Sequence, residues 1–454
     1  MLINQSHLLA NNTAQRHYGI AVTDADDDGQ FEFLVAGFGS RNLMLKWDGK
    51  QYTDWGRNTL ADNSRQAIGI AAADIDGDGY EELYILNTDS FAGRKSLGDR
   101  LFDYVDDTYI DLFEVPRHQS SINMMAGRSV VAVDRFGSGR YGFFIANYAT
   151  PMRLYELDDD ANLSDVAPFA GVNYTTGGRG LLSLPIVSQH MDIFAGNENG
   201  ANFLFRNNGN GTFTDVALDL GLDDPSEHVR GIAALDMGNT QFAIVYGNWE
   251  GYHRLYTPST DGVWDDIAPP RMSAPSKIRT VIAADFDNDG YQEIFFNNMG
   301  EPNRLFAFRD GSWRQIDIGD AAESNGYGTG AAVADLDGDG RLELLISHGE
   351  SVAQPLTLYH SPINDNHWIR VIPYTQYGAP ARGATVTLVT ENRIQRRVID
   401  AGSGYLCQME PVAHFGLGQN TQVTEIQIHW VDGTSKTIKN PSIDQLHKVD
   451  HPER

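Results

Sequence analysis

DIDGDGYEELYI, from Asp74 to Ile85, places carboxylates at its first, third and fifth positions, a glycine at its sixth and an apolar strand directly behind. Three aspartates within five residues repel one another unless a cation sits among them or water separates them. The stretch recurs. DADDDGQFEFLV starts at Asp24, DFDNDGYQEIFF at Asp285 and DLDGDGRLELLI at Asp335. Weaker copies read DRFGSGRYGFFI from Asp134, PIVSQHMDIFAG from Pro185 and DMGNTQFAIVYG from Asp236. First positions at 24, 74, 134, 185, 236, 285 and 335 are 50, 60, 51, 51, 49 and 50 residues apart, which makes seven units of about 50 residues.

Within each unit the apolar residues alternate or run four to six together between Gly, Asp and Asn turns, the pattern of strands. The order repeats: a small-residue strand such as IGIAAAD, the acidic turn, a strand such as LYILN, a third such as RLYEL or RLFAF, then a turn and an aromatic strand such as GTFTDVA. Four strands in each of seven units predict an all-β fold, a seven-bladed β-propeller whose sheets stack radially and leave only short edges. A stacked solenoid is the rival, but its end units should be degenerate caps. Here the end units are the best preserved. The last unit lacks a fourth strand before His367 while the N-terminus has a spare one around Leu2 to Asn4, so this segment is expected to complete the seventh blade. Residues 1–362 form the propeller in this reading and residues 363–454 a small β-sandwich-like domain.

The aspartates fit a hard cation. Ca²⁺ takes six to eight oxygens at ~2.3–2.6 Å, and alternate positions of a tight loop can aim carboxylates at one point. The candidate ligands are Asp24, Asp26, Asp28 and Glu32 in the first unit, and Asp74, Asp76, Asp78 and Glu82 in the second. The sixth unit offers Asp285, Asp287, Asp289 and Glu293, the seventh Asp335, Asp337, Asp339 and Glu343. Gln30, Tyr80, Tyr291 and Arg341 occupy position seven and could add a backbone carbonyl. An EF-hand would need a glutamate at position twelve, where Val35, Ile85, Phe296 and Ile346 stand. Asp-Gly clusters also make plain solvated turns, yet four copies in register, each with an acid at position nine, favour a metal loop. The weak copies lack the oxygens: Asp134 is followed by Phe136 and Ser138, Pro185 replaces the first aspartate, and Asp236 is followed by Gly238 and Thr240. About four Ca²⁺ ions are therefore expected, and at two charges each they would bring the formal charge from -27 to -19.

The repeats resemble FG-GAP or VCBS repeats, the calcium-loop propeller repeats found also in integrin α-subunits. The tail, through NHWIRV at Asn366, ARGATVTL at Ala381, GSGYLCQ at Gly402, HFGLG at His414 and IQIHWVDGT at Ile426, resembles the ASPIC/UnbV domain of the cartilage acidic protein family. The resemblance implies a calcium-binding propeller followed by a small β-rich domain, frequently secreted. It carries the ligand role to blades one, two, six and seven only, and it implies no settled chemistry.

A second pattern lies outside the acidic turns. Six residues before the anchor of each of four consecutive units stands an arginine: Arg128, Arg179, Arg230 and Arg279. Tyr18, Ile68 and Thr329 hold the place in the other three. If these strands line the central channel, the arginines form an arc at the mouth opposite the acidic turns and attract anions. Pairing with neighbouring acids to fix blade packing is the alternative. In the tail, His367, Trp368, His414 and Trp430 read as a packed aromatic core, and Gly402 to Gly404 as a turn outside any phosphate-binding context.

The net charge of -27 over 454 residues argues against nucleic acid or an anionic membrane as partner, and no apolar run approaches a membrane span. The single cysteine, Cys407, excludes an internal disulfide and a cysteine-based metal site. MLINQSHLLANN lacks the features of a signal peptide, so the expectation is a cytoplasmic chain, or a secreted or periplasmic one whose leader was removed. There is no G-x-S-x-G, H-E-x-x-H or Walker motif. Two functions remain: a binding module for an unidentified protein, glycan or small anionic ligand, with calcium structural in the blade turns, and a calcium-dependent enzyme, with secondary metabolism as one setting for it, acting at the propeller mouth or the junction with the tail.

Overall fold

The computed structural model describes residues 2–56, 58–106, 108–238 and 241–454. Seven four-stranded antiparallel units follow one another along the chain, and the third and fourth are fused into an eight-stranded sheet. The fusion comes from Gly142–Pro151, a strand long enough to pair also with Thr175–Leu184 of the next unit. In each unit the innermost strand is the small-residue one, from His17–Thr23 in the first to Gly328–Ala334 in the last. Each innermost strand contacts those of its neighbours, and the last contacts the first, which closes a ring. Ring closure uses the N-terminus: Ile3 and Asn4 pair with His360 and Tyr359 on the outer side of the seventh unit. No helix among the described residues is long and apolar enough to cross a membrane.

Small residues face the channel because the walls are close. A Cβ on Gly180 would lie 2.0 Å from the Arg230 carbonyl oxygen of the next unit, and one on Gly330 would lie 2.4 Å from that of Tyr18. Between the second and third blades Tyr84, Phe113, Phe143 and Tyr155, all fully buried, pack as one aromatic cluster. All seven innermost strands also share an irregularity. The pairing of first and second strand slips at Gly127/Ser129, Gly178/Leu181, Val229/Ile232 and Ile278/Thr280, and likewise at His17/Ile20, Ala67/Gly69 and Gly328/Gly330. A bulge leaves one residue out of the ladder and re-aims its side chain. The residues at these slips are the four arginines and Tyr18, Ile68 and Thr329.

The tail forms two sheets. His367–Pro373 lies between Ala413–Gly418 and, in parallel, Leu446–Val449, while Thr385–Val389 and Glu425–His429 are central to a four-stranded sheet. Ile369, Val371, Val386, Phe415, Ile426 and Ile428 fill the space between them. One tail segment leaves this sandwich and enters the propeller. Residues 401–408 cross the channel, with Ala401 accepting from Ala132 N–H at 2.7 Å and Gly404 exchanging bonds with Ile232 at 2.6 and 2.7 Å. Gln408 bonds the backbone of the first blade at Ile20 and Val22, both at 3.0 Å, and its side-chain amide bonds both polar groups of Ala72 at 2.8 and 3.0 Å. Asp400 pinches the loop shut by accepting from Gly402 N–H at 2.9 Å and Met409 N–H at 3.0 Å. At the tip, Leu406 sits at φ 64° against Gly19 and Gly69. That conformation is unfavourable for a bulky residue, and the packing around a 1% exposed side chain holds it.

Gln408→Ala would leave the Ala72 amide and carbonyl buried and unpaired. Each such group costs about 1–3 kcal/mol, so denaturant unfolding should show a loss of that order. Burial also holds two histidines neutral: His17 is pushed down to about 4, with nearby His348 adding to the effect, and His253 to about 3, helped by Arg304 and Arg254. Their folded values lie below the unfolded one near 6.5, so their contribution is complete above pH 6.5 and is lost as the pH falls through about 4 and then 3. The ring-proton resonances of both should not titrate between pH 7 and 5, and the melting temperature should fall as the pH is lowered below 6.5.

Candidate functional site

The four strong acidic turns share one hydrogen-bond plan. The position-one aspartate accepts from the N–H of the position-six glycine, at 2.8 Å for Asp24 and Gly29, 3.1 Å for Asp74 and Gly79, 2.8 Å for Asp285 and Gly290, and 2.9 Å for Asp335 and Gly340. These glycines have φ between 82° and 97°, the left-handed region that a Cβ makes costly. The position-five aspartate accepts from the position-seven N–H, and the position-nine glutamate reaches back to the position-two N–H at 2.9, 2.6, 3.0 and 2.9 Å for Glu32, Glu82, Glu293 and Glu343. One oxygen of each glutamate is thereby committed.

In each strong turn carboxylate oxygens converge. Asp24, Asp26, Asp28 and Glu32 place one oxygen each within 4.8 Å of one another, as do Asp74, Asp76 and Asp78, and Asp285, Asp287 and Asp289. Glu82 and Glu293 stand outside these groupings. In the seventh turn the group is Asp337, Asp339, Glu343 and His360, with Asp335 outside it because its Oδ2 is taken at 2.9 Å by Arg370 of the tail. Among the described residues the three weak turns form no such group. Asp134 is satisfied by its own loop through Phe136 and Gly139 N–H, Asp192 by Ile186, Val187 and Ser188 N–H, and Asp236 by Gly238 and Arg396 N–H. Thr240 lies outside the described residues.

The groups fit a divalent cation by a test independent of spacing. Asp285 Oδ1 and Asp335 Oδ1 are buried and have no hydrogen-bond partner among the described residues, while Glu32 Oε1 and Glu343 Oε1 are buried with Lys46 at 3.2 Å and His360 at 3.3 Å beside them. A buried acceptor without a partner is expensive, and the donor set, nearly all carboxylate oxygen, suits a hard ion. Burial, reinforced by neighbouring carboxylates, pushes Glu32 and Glu343 up to about 8, Asp74 up to about 7 and Asp24 up to about 6. The side chains of Tyr80 and Tyr291 are 45% and 44% exposed, Gln30 bonds Asp28, and Arg341 pairs with Asp339, so position seven brings no side-chain ligand inward.

Sequence reasoning missed what surrounds the groups. The third strand of each blade delivers a side chain to the turn: Lys46 pairs with Asp26, Asp28 and Glu32, Arg309 with Asp287, Asp289 and Glu293, and His360 lies 3.3 Å from Glu343. In the second blade the equivalent residue is Asp103, itself pushed up to about 6 by burial and by Asp76 and Asp78. The alternation of that strand was the available signal.

The tail is mounted on the same face. Asp285 accepts from Gly416 N–H at 3.0 Å, Asn288 bonds His414 at 2.6 Å, and Arg370 joins Asp335 to Glu410. Arg382, with 0% exposure, grips Glu81, which also accepts from Thr23 at 2.6 Å. A cleft of about 780 Å³ remains between the tail and the turns of the first, second and seventh blades. His367, Trp368, His414 and Trp430 do not gather: His367 pairs with Asp444, Trp368 covers Gly340, and Trp430 donates to the Tyr374 carbonyl. The four arginines lie at the other end of the channel. Together with Tyr405 and Leu406 at the tip of the tail segment, they line a cavity of about 400 Å³. The two-glycine motif read as a plain turn therefore carries the plug of the channel.

Acidic turns on a ring of four-stranded sheets, with a β-rich tail seated over them, define an FG-GAP propeller carrying an ASPIC/UnbV domain. The FG-GAP-like repeat model matches residues 24–85 and 285–346, and the ASPIC and UnbV model matches residues 375–454. The chain is 46% identical to human cartilage acidic protein 1 over 97% of its length and 73% of the relative's, and 45% identical to the Xenopus tropicalis protein over 97% and 75%. It belongs to the cartilage acidic protein 1 family. Among solved structures, BBS1N in complex with ARL6DN aligns over 80% of this chain and 97% of its own, at 11% identity and a TM-score of 0.48.

Arg382→Ala would strand Glu81 in the interface without a counter-charge. Breaking a buried pair by removing one partner costs about 3–5 kcal/mol, so urea unfolding should show a loss of that size, with Arg382→Lys recovering part of it.

Proposed function

We propose that this protein is a calcium-binding propeller, residues 1–362, that presents a tail domain, residues 363–454, and acts as a binding module. The observation that carries the reading is that each of the four strong turns brings at least three carboxylates within 4.8 Å of one another, with Asp285 Oδ1 and Asp335 Oδ1 buried and unpartnered among the described residues. Asp24, Asp26, Asp28 and Glu32 would hold one ion, Asp74, Asp76 and Asp78 a second, Asp285, Asp287 and Asp289 a third, and Asp337, Asp339 and Glu343 a fourth. The ion supplies counter-charge; the chain supplies turns whose outer oxygens and N–H groups seat the tail. Calcium in this reading stiffens the platform on which a partner-binding surface is displayed.

The turns should not be equal. Lys46, Arg309, and His360 with Arg341 already bring positive charge or donors to the first, sixth and seventh. The second faces Asp103 instead. It is the tightest site on this argument, because affinity rises with ligand charge.

The enzyme reading has one observation in its favour, that three of the turns border the cleft beneath the tail. Among the described residues the cleft lining contains carboxylates, tyrosines and basic side chains but no serine, cysteine or histidine, so proton transfer by Asp, Glu, Tyr or Lys is the chemistry that reading would need.

Metal analysis after dialysis against trace calcium should find close to four ions per chain, and a count of zero or one would sink the reading. Asp76→Asn with Asp78→Asn should remove the highest-affinity step in a calorimetric titration, while Lys46→Met should tighten the first site. Each site at a hundredfold excess over its Kd adds about 2.7 kcal/mol, so chelation should lower the melting temperature. Hydrogen exchange should then rise first in blades one, two, six and seven and in the tail strands above them.

A further inference from the structure

The channel end remote from the acidic turns is built differently from every other part of this acidic chain. The bulge in each innermost strand turns its residue toward the channel, and in four successive blades that residue is arginine. Arg128, Arg179, Arg230 and Arg279 are between 4% and 9% exposed. Tyr405, at the tip of the tail segment, faces all four: burial would raise its phenol, but the surrounding guanidinium groups, Arg179 foremost, hold it below its ordinary value.

Carboxylate pairing of this cluster is incomplete. Glu198 bridges Arg179 and Arg230, and Glu350 accepts from Arg279 at 2.9 Å and from the Tyr18 hydroxyl at 3.0 Å. Among the described residues Arg128 has no acid partner; it bonds Thr88 and the Gly127 and Phe91 carbonyls. The Nε donors of Arg128, Arg230 and Arg279 are buried without a partner. Asp89 also lines the cavity, but its oxygens are engaged by Ser96 and Leu97 N–H. Four guanidinium groups against three carboxylates leave one positive charge in a chain of net charge -27. Pairing for blade packing alone would have matched each arginine with an acid.

The walls above the charges are aromatic. Trp249 lies under Arg230 and Arg279, at 5.6 and 4.5 Å, and Phe91 under Arg128 and Arg179, at 5.2 and 5.8 Å. Phe91 is 67% exposed, an apolar ring left at the rim. The cavity of about 400 Å³ falls in the range of small-molecule sites, ~300–1,000 Å³, where an apolar wall gives area and a few convergent polar groups give orientation.

We propose that this cavity is a binding site for a small organic carboxylate with a flat apolar body, its carboxylate met by Arg128 and Arg279 beside Tyr405 and its body laid against Trp249 and Phe91. Because Tyr405 comes from the tail, the site exists only when the tail segment is seated. It does not involve the acidic turns, so it stands or falls separately from the calcium reading.

The test is calorimetric titration of the full chain with benzoate and phthalate, with benzyl alcohol and inorganic phosphate as controls. Benzoate or phthalate should saturate one site per chain, and both controls should bind at least tenfold more weakly. Arg128→Gln should weaken carboxylate binding at least tenfold. Glu350→Gln, which frees Arg279 and removes a competing negative charge, should strengthen it severalfold, a direction that damage to the fold would not produce. No saturable carboxylate binding, equal affinity for phosphate, or a Glu350→Gln variant that melts lower and binds no more tightly would each overturn the proposal.

Discussion

Like charges held close together in a low-dielectric turn are the constraint on which this structure depends. Asp74, Asp76 and Asp78 lie within 4.8 Å of one another with Asp103 alongside, and such a group is repulsive until something positive joins it. The chain does not relieve the repulsion by exposing the acids. It buries the position-nine glutamates and three of the four position-one aspartates, so that Asp74 and Glu82 are 0% and 2% exposed, and holds these carboxylates with backbone N–H groups. Those bonds fix how each carboxylate is oriented. A turn built this way gathers carboxylate oxygens that could hold a cation.

The outer sides of the same turns carry the tail. Asp285 offers its Oδ2 to Gly290 and to Gly416 of the tail, and Asp335 divides its Oδ2 between Gly340 and Arg370. Tail arginines therefore offset part of the charge from above while leaving Asp285 Oδ1 and Asp335 Oδ1 without a partner within the turns. This division explains why buried guanidinium groups recur at the interface. Arg370, Arg382 and Arg397 are all at most 7% exposed, and each would be unaffordable without the acids beneath it.

Much of this was legible in the sequence because it is periodic. Seven units, four strands in each, and the spare N-terminal strand follow from spacing alone, and the arginine offset was visible because bulge and anchor lie on one strand at a fixed separation. Features that depend on meeting across the fold were not legible. Lys46, Asp103 and His360 reach the turns from a strand whose register only the sheet defines, and Asp335 leaves its group because Arg370 lies over it. The segment at Gly402–Gly404 looked like a plain turn since its partners, Ala132, Ile232 and Gln408's partner Ala72, come from three different blades.

The two ends of the channel are joined by that segment. Asp400 and Gln408 anchor it near the acidic face, and Tyr405 carries it down to the arginines. Its ladder-like bonds satisfy backbone groups of the inner strands, and Leu406 is held in a conformation it would not choose. Strain of this kind persists only where surrounding contacts over-determine it, and here those contacts come from the first and second blades, whose turns are the most acidic of the ring. Those contacts place Leu406, and beside it Tyr405, against Gly19 and Gly69 of the innermost strands. The plug thus runs from the acidic face to the basic cavity, two ends of opposite chemistry.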